Sequence, residues 1–166
     1  MKTATLLLLI TTLCIAQSVF SRRAPGFSLP DSGLKQHDLQ DYRGKVLLLD
    51  FMKTQCPHCQ QVSKVLEELN ARYYGRITVV SIVMPPDNQQ LVQQYAEAFK
   101  ISTPFLFDCG QVTASYVRAT PAKPAVNLPH LYIIDQKGII QHDLDYDADP
   151  TVFDVKLLSK KIDSLL

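Results

Sequence analysis

The sequence predicts an α/β fold, a central mixed β-sheet flanked by helices, and three observations carry that prediction. Two continuous apolar runs, Val46-Leu47-Leu48-Leu49-Asp50-Phe51 and Ile77 to Val83, have the character of parallel strands buried on both faces. Between them Val62, Val65, Leu66, Leu69 and Tyr73 recur at helical spacing, with Gln61, Lys64, Glu67, Glu68 and Arg72 on the other side. Further on the pattern changes: His130 to Asp135 and Gly138 to Leu144 are short apolar or alternating runs joined by Gln136-Lys137-Gly138, which suits an antiparallel hairpin.

The remaining elements follow in chain order. Residues 1–21 combine a charged start, Met1-Lys2-Thr3, with an apolar stretch from Ala4 to Ala16 and small residues at Ala16, Ser18 and Ser21. This has the form of a secretory signal peptide, cleaved after Ser18 or Ser21, with an uncleaved membrane anchor through Phe20 as the alternative. Residues 22–166 are then read as one domain. Residues 22–44 read as a linker and irregular lead-in, in which Phe27-Ser28-Leu29 alternates like a short edge strand. A strand from Lys45 to Phe51, a helix and a strand from Ile77 to Val83 form a parallel unit, whose crossover is expected to be right-handed. Asn88 to Phe99 puts Leu91, Val92, Tyr95, Ala96 and Phe99 on one helical face, and Phe105-Leu106-Phe107 reads as a short extended segment. From Pro150 onward Val152, Val155, Leu158, Ile162 and Leu165 predict a terminal helix packed on the sheet.

At 166 residues and 46% hydrophobic content the chain is long enough for one domain with a core and too short for two ordinary ones. Its 17 basic residues against 16 acidic ones, net charge +1, give no reason to expect a nucleic acid or an acidic surface as partner. Function must therefore reside in a localised site.

That site is expected at Cys56-Pro57-His58-Cys59, directly after the first core strand. A C-x-x-C that opens a helix gives its first sulfur the positive end of the helix dipole and unpaired backbone N–H groups, both of which favour the thiolate. Pro57 fits the first helical turn, where a missing N–H costs nothing, so Cys56 falls at the cap and Cys59 inside. Cys56 is the expected nucleophile and Cys59 the resolving thiol. His58 adds a positive or hydrogen-bonding neighbour that favours the thiolate and hence the reduced form, which makes a stronger oxidant. Signal removal takes away Cys14 and leaves Cys109, in Phe107-Asp108-Cys109-Gly110, as a solitary thiol near a turn, with a resolving or metal-ligand role as the alternative. His37 and His142 read as surface residues.

Strand, C-x-x-C helix and strand followed by a hairpin and a final helix resemble the thioredoxin superfamily over residues 25–166. Ala24-Pro25-Gly26-Phe27-Ser28-Leu29-Pro30, Asp41-Tyr42-Arg43-Gly44-Lys45-Val46 and Ile133-Ile134-Asp135-Gln136-Lys137-Gly138 are similar to its redoxin branch, which holds TlpA/ResA-like thiol-disulfide oxidoreductases and peroxiredoxins. The resemblance implies a thioredoxin-like fold with an N-terminal redoxin-type extension. It also implies an extracytoplasmic, for instance periplasmic, enzyme without a cofactor or metal, which exchanges disulfides with protein thiols and is reset by an unidentified redox partner.

Two further positions carry over from that family. Asp50 stands where thioredoxin keeps a buried acid beneath the pair, although TlpA-like members more often carry a neutral amide there. A buried carboxylate with a raised pKa can accept the Cys59 proton; a structural Asp bonded to backbone is the alternative. Pro129, in Asn127-Leu128-Pro129-His130, matches the family's cis-proline, which faces the sulfurs and holds the backbone of Leu128 ready to pair with a substrate strand. An ordinary trans proline leading into an edge strand is the alternative.

The chain also departs from its relatives. Met52 and Gln55 stand where thioredoxin carries tryptophans, and this chain has none. Pro-His between the cysteines resembles the disulfide oxidase DsbA, but the stretch from Val83 to Pro129 leaves little room for the helical domain of that family. The frame thus resembles a reductant's and the dipeptide an oxidant's. A thiol peroxidase is an alternative, but Leu49 and Lys53 occupy the Pro and Thr positions of the peroxiredoxin pattern Pro-x-x-x-Thr-x-x-Cys. A Sco-like copper metallochaperone, with His130 beside the thiolates, is another, but that family spaces its cysteines three apart.

Overall fold

The computed structural model describes residues 21–166. The expected signal or anchor at 1–21 lies, except for Ser21, outside the described residues, and no helix among the described residues is long and apolar enough to cross a membrane.

The main sheet has six strands: β1 (Arg22–Arg23), β4 (Val46–Met52), β5 (Ile77–Val83), β6 (Phe105–Phe107), β7 (His130–Ile134) and β8 (Ile139–Asp145), in the order β1-β8-β7-β4-β5-β6. β4, β5 and β6 run parallel, whereas β7 is antiparallel to β4, and β8 to β7. The sheet is therefore mixed, as the change of pattern after residue 130 predicts. Every residue of β4 and β7 is buried. This explains why the two strands are apolar apart from Asp50 and His130.

The two-residue period of β4 divides the core. Leu47, Leu49 and Phe51 face one side, where Phe27, Leu39 and Tyr116 pack. Val46 and Leu48 face the other side, covered by Val62, Leu66 and Leu69 of α1 (Pro57–Arg72) and by Leu158 and Ile162 of α4 (Val155–Asp163). At the C-terminal end of the strands Met52, Cys59 and Val83 form a third cluster with Val92 and Tyr95 of α2 (Gln89–Phe99) and with Phe105. The caps are written in the sequence: Asn88 accepts the N–H of Leu91, and Asp154 those of Lys156 and Leu157.

The lead-in is more ordered than the sequence predicts. Arg22 and Arg23 extend the sheet edge by pairing with Ile140 and Ile139. The strand expected at residues 27–29 is β2 (Ser28–Pro30), and it pairs with β3 (Gln36–Asp38) in a separate two-stranded sheet instead of lying on the main one. His37, expected at the surface, is buried there, with its ring nitrogens 2.9 Å from Asp31 Oδ2 and 2.7 Å from Tyr42 Oη. His142 is likewise half-buried on β8, where desolvation and then Lys161 lower its pKa. A short helix, α3 (Gln111–Val117), is a further addition; its first turn hangs on Asp108, whose carboxylate accepts the N–H groups of Val112 and Thr113.

Candidate functional site

β4 ends at Met52, and a tight turn leads to Cys56, the N-cap of α1, with extended backbone (φ −88°, ψ 116°) and Pro57 in the first turn. The Cys59 N–H donates to Cys56 Sγ at 3.3 Å, so the sulfur occupies the place that a Ser or Asp oxygen usually takes at a helix N-terminus. That orientation suits a thiolate, which gains both the N–H and the dipole. Cys56 is half-buried, while Cys59 is fully buried, and both are free thiols. Burial pushes the Cys59 thiol well above its usual range, aided by its hydrogen bond with Cys56 and by the charge of Asp50. The two sulfurs thus differ in access, and burial opposes ionisation of Cys59.

Asp50 lies on the α1 face of β4, register partner to Ser81 on β5. It is fully buried, and both carboxylate oxygens lack a hydrogen-bond partner. Desolvation pushes its pKa up to about 7, opposed by the nearby Ser81 hydroxyl. A backbone-bonded, purely structural Asp would have satisfied oxygens; this one has none.

Across from Cys56 the Leu128–Pro129 peptide is cis, and the Cys56 thiol approaches the Leu128 carbonyl oxygen at 3.8 Å. The fold thus brings Cys56, Cys59, Asp50, Leu128 and Pro129 together, with Pro57 and the exposed His58 on the first turn of α1. His130 follows at the start of β7, buried, with Nε2 2.6 Å from Asp143 Oδ1 and its ring stacked on Tyr132. Among the described residues no three His, Cys, Asp or Glu side chains gather closely enough to hold a metal ion. Cys109 is exposed beyond β6.

Two contributors to the site escape sequence reasoning. Asp87, in the loop before α2, accepts the backbone N–H of Thr54 at 2.7 Å and its hydroxyl at 2.6 Å, fixing the turn that delivers Cys56. Tyr146, just after β8, stacks on His58 with ring centroids 4.6 Å apart. Neither has a local motif, since each partner is distant in sequence. Asp87→Ala is expected to lower stability by about 1–3 kcal/mol through the stranded donors and to slow disulfide exchange; urea unfolding and a turnover assay measure both.

The family model described as "AhpC/TSA family" matches residues 20–143. "Thioredoxin-like protein YneN" of Bacillus subtilis is 30% identical over 122 residues, covering 72% of this chain and 68% of that protein. "Thiol-disulfide oxidoreductase ResA" of Geobacillus thermodenitrificans is 28% identical over 151 residues, covering 85% and 83%. Among solved structures, a thiol-disulfide oxidoreductase from Bacteroides fragilis superimposes with a TM-score of 0.68 at 19% identity, over 87% of this chain and 100% of that one, a likeness of fold.

Proposed function

Since the chain belongs to the AhpC/TSA family, we propose that it is an extracytoplasmic thiol-disulfide oxidoreductase that exchanges disulfides with protein partners through Cys56 and Cys59. The observation that carries this reading is the unlike pair of sulfurs: one capped by a backbone N–H at a helix N-terminus, the other buried beside an orphaned carboxylate. Residues 22–166 act as one redoxin domain, and residues 1–21 export it or tether it to the membrane.

In the reducing direction the Cys56 thiolate attacks a partner disulfide. A Cys56–partner disulfide forms, and the partner's other sulfur leaves as a thiolate that takes up a proton. Asp50, ionised, accepts the Cys59 proton, and the Cys59 sulfur then attacks Cys56 Sγ. The second partner sulfur leaves and is protonated. The partner is reduced by two electrons, Cys56–Cys59 is oxidised, and a redox partner restores the dithiol. The oxidising direction is the reverse. The cis-Pro129 loop is where an extended substrate strand docks, against the backbone of Leu128, and His58 supports the thiolate.

Peroxide reduction is poorly served, because Leu49 is buried in β4 and the nearby Thr54 hydroxyl is committed to Asp87. The copper reading is weakened because, among the described residues, His130 does not gather with Cys56 and Cys59 into a set that could hold a metal ion. The test is dithiothreitol-driven reduction of insulin disulfides: the protein is expected to accelerate it and Cys56→Ser to fall to background. Full activity of Cys56→Ser would overturn the assignment.

A further inference from the structure

Tyr146 touches both halves of the site. Its ring lies on His58 with an interplanar angle of 26°, and its hydroxyl reaches Gln61 Oε1 on the next turn of α1 at 3.4 Å. Its backbone N–H donates to the Pro129 carbonyl at 3.4 Å. The neighbouring Asp145 accepts the Asn127 side-chain amide at 3.1 Å, so the end of β8 grips the Asn127–Pro129 loop from two residues. Phe153 also packs against the Tyr146 ring, centroids 5.3 Å apart and tilted by 50°.

We propose that Tyr146 is a positioning residue for disulfide exchange: it clamps the His58 ring over the first turn of α1 while anchoring the cis-Pro129 loop. The inference rests on the exchange reading above. An exposed histidine at the second helical position would ordinarily sample several rotamers in solvent. Stacked on Tyr146 it is held beside the turn that carries Cys56, where its hydrogen-bonding or positive edge favours the reduced thiolate over the disulfide. Tyr146 would thus make the pair more oxidising through His58, without touching either sulfur.

The test compares Tyr146→Leu, which keeps apolar contact with Phe153, with Tyr146→Phe, which keeps the ring, each alone and in a His58→Ala background. Two quantities are read on the full-length protein: the equilibrium constant of Cys56–Cys59 against dithiothreitol, and the iodoacetamide alkylation rate of Cys56 at pH 7. Tyr146→Leu is expected to shift the equilibrium about 3- to 10-fold toward the disulfide, tenfold being about 30 mV, and to slow alkylation. Tyr146→Phe should match the parent, and in His58→Ala the Tyr146→Leu effect should vanish. A Tyr146→Leu effect that persists without His58, or no effect on either quantity, would overturn the clamp. Alkylation reads the reduced protein whether or not the pair cycles. A parent that forms no reversible disulfide yet shows the His58-dependent change in alkylation would therefore overturn the exchange reading and leave the clamp standing.

Discussion

Replacing Cys59 with serine is expected to accumulate a covalent Cys56–partner adduct, because the second thiol needed to expel the partner is gone. On non-reducing gels, with the exposed Cys109 also replaced by serine, Cys59→Ser should carry about one equivalent of a disulfide substrate, released by dithiothreitol, while the further replacement Cys56→Ser leaves none. Turnover in either single variant should fall to background. The buried Cys59 lies out of reach of an incoming partner, whereas Cys56 is accessible. An adduct that forms on Cys59 when Cys56 is replaced would reverse the assigned roles.

The second large effect concerns Asp50. Its pKa is raised in the folded protein from 3.8 to about 7, with burial the main cause. Between those values the Asp50 carboxyl holds more protons in the native state than in the unfolded chain, so the stability it contributes is greatest below about pH 4 and declines as pH rises to about 7. At about 1.36 kcal/mol per pH unit the full loss is on the order of 4 kcal/mol. Asp50→Asn should remove that slope, as urea unfolding across the range measures. The same substitution should slow the resolving attack of Cys59 by about 100-fold and abolish an inflection near pH 7 in that step, while leaving the first attack by Cys56 little changed. Stopped-flow traces with both steps unchanged would make Asp50 structural.

These two residues show how much of the site was legible in the sequence. Cys56, Pro57 and Cys59 declare themselves because the chemistry is local: strand end, cap and first turn lie within a few residues. Asp50 and Pro129 needed a family resemblance, since what matters at each is what lies across the fold. The strands β4, β5 and β6 and the helices α1, α2 and α4 were readable from apolar periodicity. β1 was not, because Arg22 and Arg23 join the sheet through backbone pairing with Ile140 and Ile139, which leaves no hydrophobic signature. α3 was hidden by its length and by Val112, Thr113, Tyr116 and Val117, residues of modest helix propensity that start from a side-chain anchor at Asp108. Asp87 and Tyr146 were missed for a related reason. Their partners, Thr54 and His58, are brought to them only when the parallel β4–β5 pair and the β7–β8 hairpin have formed.

Disulfide exchange through Cys56 and Cys59 stands or falls on the reduction potential of that pair, obtained by equilibrating the protein against dithiothreitol or glutathione and counting alkylated thiols. A reversible two-electron couple between about −270 and −120 mV, lost in both Cys56→Ser and Cys59→Ser, is the predicted result. A value near the upper end means that His58 dominates and the protein donates disulfides; one near the lower end means a reductant fed by an upstream donor. Failure of the two sulfurs to form a disulfide at any poise would contradict the account.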